Sequence, residues 1–278
     1  MASEPSVQTE IRVTVPLPAD GGNARSDGLA TTPARVIWRF VVVLFAVAVL
    51  TLPIAWSVRF AAQSAWWWER GFDRFDVERR TGLKRSEIDQ AGTTIRAYFL
   101  NDEERLAVVV STPAGASEPL FTERETLHMV DVKRLIARTY DSGWASLGFL
   151  IAFVVGVVFW RRRVGGPGVA PFLARAGFYA GLGVAAAVAL LAIVAATGFD
   201  GAFRQFHLLF FTNDLWQLSN RDRLIQFFPQ GFFFETTLLI GSTAIAFALV
   251  IAGTGFWYLR RFDAGVGLPA FLRAPAHD

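Results

Sequence analysis

Apolar positions in this chain gather into four long runs, separated by polar segments of very different length. Each run approaches or exceeds the roughly 20 apolar residues that cross the hydrocarbon core of a bilayer. They predict helical spans at about 35–58, 144–160, 176–197 and 234–258. Pro53, near the end of the first run, predicts a kink of the kind that neighbouring helices accommodate in a membrane. The third run is rich in Ala and Gly, as expected where helices pack closely in lipid. Residues 1–33 are rich in Pro, Gly, Ser, Thr and Asp without sustained periodicity, which predicts a disordered tail. No small-residue cleavage site follows a short apolar core there, so the first run is read as an uncleaved span.

The polar segments carry their own local signals. The long one, 59–141, opens on Trp66, Trp67 and Trp68, whose rings favour the headgroup level. Ser86 to Asp89 reads as a helix start, a cap residue followed three positions on by an acid. The β-branched stretch Leu106 to Ser111 predicts a short strand. Thr122 and Glu125 are spaced as a capping box opening a helix through LHMVDVKRLI. Between the third and fourth runs lies 199–233, crowded with aromatics yet holding His207, Asn213, Asp214, Arg221, Asp222 and Arg223. There Phe203, Phe206, His207, Phe210 and Phe211 fall at i, i+3, i+4, i+7 and i+8, the stripe of a helix half-sunk in an interface. The expected architecture is an all-α membrane protein of four transmembrane helices. A mixed subdomain lies between spans 1 and 2, and an interfacial segment between spans 3 and 4. The membrane domain takes 34–260, and 261–278 is a short tail.

Charge orients this arrangement. The formal net charge is only +3 over 278 residues, so no broad basic surface for nucleic acid is implied. Arg161, Arg162, Arg163 and Arg175 flank the loop between spans 2 and 3, Arg260, Arg261 and Arg273 follow span 4, and Arg35 and Arg39 flank span 1. By the positive-inside rule these sites are cytoplasmic, which puts both termini inside and the segments 59–141 and 199–233 on the extracytoplasmic face. His128 and His207 then share that outer face, while His277 lies in the cytoplasmic tail. The chain has no cysteine, which excludes disulfides, thiolate metal sites and an acyl-thioester enzyme.

Two histidines are the candidates for chemistry. Asp131 lies one turn beyond His128 and Glu125 one turn before it, so an acid is placed to orient the ring and raise its basicity. The same spacing suits a surface helix with scattered charges. His207 sits in an apolar stripe that suits an interfacial ring with one wet end. What distinguishes it is the concentration of donors, acceptors and charges that follows, where unpaired ones beside lipid are costly. A mixed site of both histidines with Asp131 and Asp214 is conceivable for a metal, but no HExxH or HxH spacing supports it. No phosphate loop or GxSxG elbow is present, and no cofactor is expected.

Glu125 to Val132 (ETLHMVDV), followed far downstream by Phe206 to Phe211 (FHLLFF), Asn213 to Trp216 (NDLW) and Leu224 to Pro229 (LIQFFP), resembles the Lit family, the lipoprotein intramolecular transacylases. The resemblance spans roughly residues 35–260. It implies a small bacterial membrane protein of four spans that moves the sn-2 acyl chain of a diacylglyceryl-cysteine lipoprotein from glycerol oxygen to the cysteine α-amine. It assigns the catalytic work to His128 and His207, with the bilayer and diacylated lipoproteins as partners. The residues agree with that implication. Ester-to-amide transfer is downhill and needs no nucleotide. The amine, with a pKa near 8, suits a neutral imidazole as base. Asp131 is expected to orient His128. Asn213, Asp214, Trp216, Phe206, Phe210 and Arg221 are expected to bind substrate, Asn213, Trp216 or an arginine as oxyanion donor and the phenylalanines along the acyl chains.

Three other readings remain beside this one. A lipid hydrolase or another acyltransferase would use the same face with a different acceptor. A non-catalytic scaffold or lipid-binding protein would need the outer helix but not the histidines. Transport has little support, because the spans carry no charge inside the membrane.

Overall fold

The computed structural model describes residues 32–111, 117–164 and 169–262. The tail expectation for 1–31, the loop residues 165–168 and His277 lie outside the described residues. The described residues from Val41 to Phe262 form one compact unit.

Four helices are long and apolar enough to cross a membrane. They are α1 (Thr32–Gln63), α5 (Glu123–Val164), α6 (Val169–Thr197) and α9 (Gln230–Phe262). All four extend beyond the expected limits. The largest departure is α5, where the capped helix at Thr122 and the second span are one continuous helix of 42 residues. At 1.5 Å per residue that is about 60 Å, roughly twice the hydrocarbon thickness. Its first half carries Glu125, Asp131, Lys133, Arg134, Arg138 and Asp141, and so projects beyond the apolar stretch that starts near Trp144. Asp141, Ser142 and Gly143 separate the halves like a turn signal, yet the helix runs on through them, and Gly143 lets α5 approach α1 closely, since a Cβ there would sit 2.6 Å from Ala55 Cβ. The expected capping box is present: Glu125 N–H donates to Thr122 Oγ1 at 3.4 Å and Thr122 N–H donates to Glu125 Oε2 at 2.7 Å.

The helix α1 continues through Pro53, whose carbonyl accepts the Ser57 hydroxyl at 2.7 Å. Val49, Phe153, Val157, Ala244 and Ala248 form the core of the membrane bundle. Helices α6 and α9 approach closely at two glycines, Gly181 against the Ala248 carbonyl and Gly255 against the Ala174 carbonyl, where a Cβ would collide with backbone. Backbone approach of this kind is how small residues hold helices together in lipid.

A subdomain of short elements follows α1: α2 (Ala65–Arg74), α3 (Val77–Thr81), α4 (Arg85–Tyr98) and a hairpin of β1 (Val109–Ser111) with β2 (Ser117–Pro119). The strands pair antiparallel, with Val109 opposite Pro119. Ser86 is not the cap of α4. That helix starts one residue earlier, and Glu87 accepts the backbone N–H of Lys84 at 2.9 Å. Nor do the three tryptophans act alike. Trp66 is exposed, but Trp67 and Trp68 are buried in the subdomain core with Phe72, Ile88, Ile95 and Phe228. Their indole N–H groups are satisfied, on Thr236 Oγ1 at 3.2 Å and on the Ala61 carbonyl at 2.7 Å. An amphipathic α2 places both rings inward, and core burial overrides the headgroup preference.

Two further helices, α7 (Phe199–Phe210) and α8 (Arg223–Phe227), lie between α6 and α9. The subdomain, α7 and α8 meet the ends of all four long helices at one end of the bundle. They share a cavity there, lined from α1 at Ile54, from α5 at His128, from α6 at Ala195 and from α9 at Thr236.

Candidate active site

His207 is the buried position on α7, while its neighbours Leu208, Leu209 and Phe210 are exposed. Helical spacing turns one face of α7 inward and leaves the others as an apolar outer surface suited to an interface. The His207 ring is held in place by several contacts. Its Nδ1 lies 2.7 Å from the Phe203 carbonyl oxygen, one turn back. In the neutral ring Nδ1–H therefore donates, and Nε2 is left as the acceptor. Trp216 stacks on the ring, with centroids 4.9 Å apart and planes at 30°, and Phe203 meets it edge-on at 4.4 Å.

His128 is also buried, in the second turn of α5. Its centroid lies 6.1 Å from that of His207, and Phe211 packs edge-on against it at 5.3 Å. Its Nδ1 is buried and has no hydrogen-bond partner among the described residues. Burial is the main cause that pushes its pKa down to about 4, the neighbouring His207 adds to this, and Asp131 opposes it. The His207 pKa is lowered too, by burial, with the Phe203 carbonyl opposing. Both rings are therefore neutral near pH 7.

The two imidazoles line one cavity of about 550 Å³. Its other lining is almost wholly apolar, and reaches from Phe203 and Phe206 down between the membrane helices to Ile54 and Ile240. Such a volume lies within the range of ligand pockets. Two buried polar rings in the wall of an otherwise apolar cavity suit a lipid whose reacting group is brought between them.

The remaining expected site residues fall at different places. Phe206 and Phe210 line the cavity. Trp216 meets His207 through the ring stack. Asp131 does not hydrogen-bond His128; its Oδ2 accepts the Asn213 Nδ2–H at 2.8 Å and its Oδ1 faces Arg134 at 3.4 Å. Asn213 thus spends its amide donor on Asp131. The carbonyl of exposed Asp214 accepts the Arg124 guanidinium, and its carboxylate is 3.8 Å from the same group. Arg221 is exposed and does not line the cavity. Arg223 donates to the Thr81 carbonyl and to Gln226 Oε1, tying α8 to α3. Among the described residues no group of three His, Asp or Glu side chains converges as a metal site would require.

Sequence reasoning missed the reach of Glu125. Fully buried, its Oε2 accepts both the backbone N–H and the hydroxyl of Thr122, and its Oε1 accepts the Leu224 N–H at 2.7 Å. It does not hydrogen-bond His128. The capping box was a visible signal for its local bonds, but nothing local marks the bond to α8.

Comparison with known proteins adds to this geometry. The family model described as lipoprotein intramolecular transacylase Lit matches residues 42–233. A solved structure of the membrane-integral lipoprotein intramolecular transacylase Lit from Bacillus cereus aligns with a TM-score of 0.63 at 15% identity, covering 82% of this chain and 98% of that one. A variant of the same Bacillus cereus protein, with a histidine replaced by arginine, aligns with a TM-score of 0.60 at 14% identity, covering 82% and 94%. An uncharacterised protein of Aquifex aeolicus is 27% identical over 135 residues, which is 49% of this chain and 56% of that relative. The chain thus matches just over half the length of that curated relative.

Proposed function

The chain belongs to the Lit family of lipoprotein intramolecular transacylases, and from that premise we propose that it moves the sn-2 acyl chain of a diacylglyceryl-cysteine lipoprotein to the cysteine α-amine. The product is the N-acyl, lyso form. The observation that carries the reading is the pair of buried imidazoles, 6.1 Å apart, that line one largely apolar cavity between membrane helices.

In the proposed reaction the amine nitrogen attacks the ester carbonyl carbon. The new C–N bond forms, the C–O bond to glycerol breaks, one amine proton leaves and the glycerol oxygen gains one. His207 is the base. Its Nδ1–H is held by the Phe203 carbonyl, so Nε2 is free to take the amine proton, and that carbonyl then steadies the imidazolium. The protonated His207 then returns that proton to the departing glycerol oxygen, so both rings end neutral as they began, while the N–H of neutral His128 polarises the ester carbonyl. Amine and ester belong to one molecule, so the cavity's main task is to fold the substrate into an attack geometry. The acyl chains follow Phe203, Phe206 and Phe210 into the cavity.

The site is proposed to face the extracytoplasmic side of a bacterial cell membrane, with both termini cytoplasmic. The arginines at 161–163, 175, 260 and 261, at the opposite helix ends from the cavity, support this. The bilayer and diacylated lipoproteins are the partners.

The test is to replace His128 and His207 singly by alanine. Each variant is expected to lose acyl transfer by at least about a hundredfold, the usual span of acid–base catalysis, while still accumulating in the membrane. Full activity in either variant would refute the paired-histidine reading.

A further inference from the structure

We infer that Asp131 is a positioning residue that acts on His207, through Asn213 and Trp216, and not a partner of His128. This rests on the reading of the two histidines as the catalytic pair.

The geometry runs in one chain of contacts. The His207 ring has two degrees of freedom to lose. The Nδ1–H bond to Phe203 at 2.7 Å fixes its rotation, and the Trp216 stack at 4.9 Å fixes its tilt. Trp216 itself lies in the irregular stretch between α7 and α8, where no helix holds it. Bonds inside that stretch shape it but do not anchor it: Leu215 N–H donates to Asn213 Oδ1 at 3.1 Å, and Gln217 N–H to the Asp214 carbonyl at 3.0 Å. The anchors reach across to α5. Asn213 Nδ2–H donates to Asp131 Oδ2 at 2.8 Å, and Arg124 donates to the Asp214 carbonyl. Both anchoring residues flank Trp216 on its N-terminal side, two and three positions away.

Asp131 therefore ties the aromatic cover of one histidine to the helix that carries the other. Removing the tie frees Trp216 to leave the ring, and the Nε2 lone pair loses its aim. Misplacement of a catalytic group by about 1 Å costs up to about a hundredfold in rate. The competing role, an acid that tunes His128 by charge, would need the carboxylate as an anion. The tie to Asn213 needs only an oxygen acceptor, which asparagine also supplies.

That difference sets the experiment, carried out on the full chain in membranes. Asp131→Ala and Asn213→Ala are each expected to lower kcat about tenfold or more, with KM nearly unchanged. Asp131→Asn restores most of the loss. The double variant Asp131→Ala with Asn213→Ala is no worse than either single one, because both cut the same tie. Losses as large in Asp131→Asn as in Asp131→Ala would overturn the inference in favour of charge on His128. Losses that multiply in the double variant would overturn it also. A second readout does not depend on transfer. Carbethoxylation of His207 by diethyl pyrocarbonate, followed by peptide mass spectrometry, is expected to speed up severalfold in Asp131→Ala and Asn213→Ala but not in Asp131→Asn. Equal labelling in all four proteins would refute the positioning role, even if the wild-type chain showed no acyl transfer and the functional reading itself had failed.

Discussion

The carboxylate of Glu125 accepts the backbone N–H of Leu224 at 2.7 Å, across 99 residues of chain. With its other oxygen the same side chain holds Thr122, so one buried acid joins the start of α5 to the start of α8. His128 lies one turn further along α5, and the aromatic segment with His207 and Trp216 leads directly into α8.

Glu125→Ala is therefore expected to destabilise the protein by about 1–3 kcal/mol, since it leaves the buried Leu224 N–H without its acceptor. Glu125→Gln keeps one good acceptor and is expected to fall between. Thermal unfolding in detergent, with the yield of membrane-inserted protein, checks this. An alanine variant with unchanged unfolding temperature would show that the clamp contributes nothing.

The depressed pKa values predict a pH profile. The His128 ring is held down to about 4 by burial, so it is already neutral well below its ordinary value of 6.5. Between about pH 4 and 6.5 the unfolded chain binds more protons at this ring than the folded one does. Stability should accordingly rise with pH across that window and level off above it. Activity follows a different group. The substrate α-amine has a pKa of about 8, so transfer should climb from pH 6.5 and flatten above about 8. A rate that instead climbs and levels near pH 6.5 would place the controlling proton on a histidine of ordinary pKa.

The cavity predicts a steric block. Ala202, on α7, lines the channel beside Phe203 and Phe206. Ala202→Phe should cut transfer severalfold and penalise long acyl chains more than short ones, with membrane accumulation maintained. Competition between two substrates of different chain length reads the bias directly. Equal loss for both lengths would mean that the chain does not run past this position.

These contacts show what the sequence alone makes legible. The four spans are plain because apolar runs of bilayer length leave a trace in composition, and the box at Thr122 and Glu125 is plain because its partners are three residues apart. The pairing of His128 with His207 came from resemblance, not from spacing. The partner of Asp131 was misjudged because one-turn spacing suggested His128, whereas the bond goes to Asn213, 82 residues on. The Glu125–Leu224 bond was invisible for the same reason: contacts between distant segments have no period. Trp67 and Trp68 misled because a tryptophan run reads as an interface signal until a subdomain core is there to take it.

The most direct measurement is tandem mass spectrometry of the N-terminal lipopeptide, from a bacterial host whose lipoproteins carry two acyl chains and a free amine. With the chain expressed, the account predicts one acyl group on the cysteine nitrogen and one on glycerol, at unchanged total mass. His128→Ala and His207→Ala should return the original pattern. Lipopeptides that stay unchanged with the intact chain present in the membrane, or that lose an acyl group to water, would contradict it.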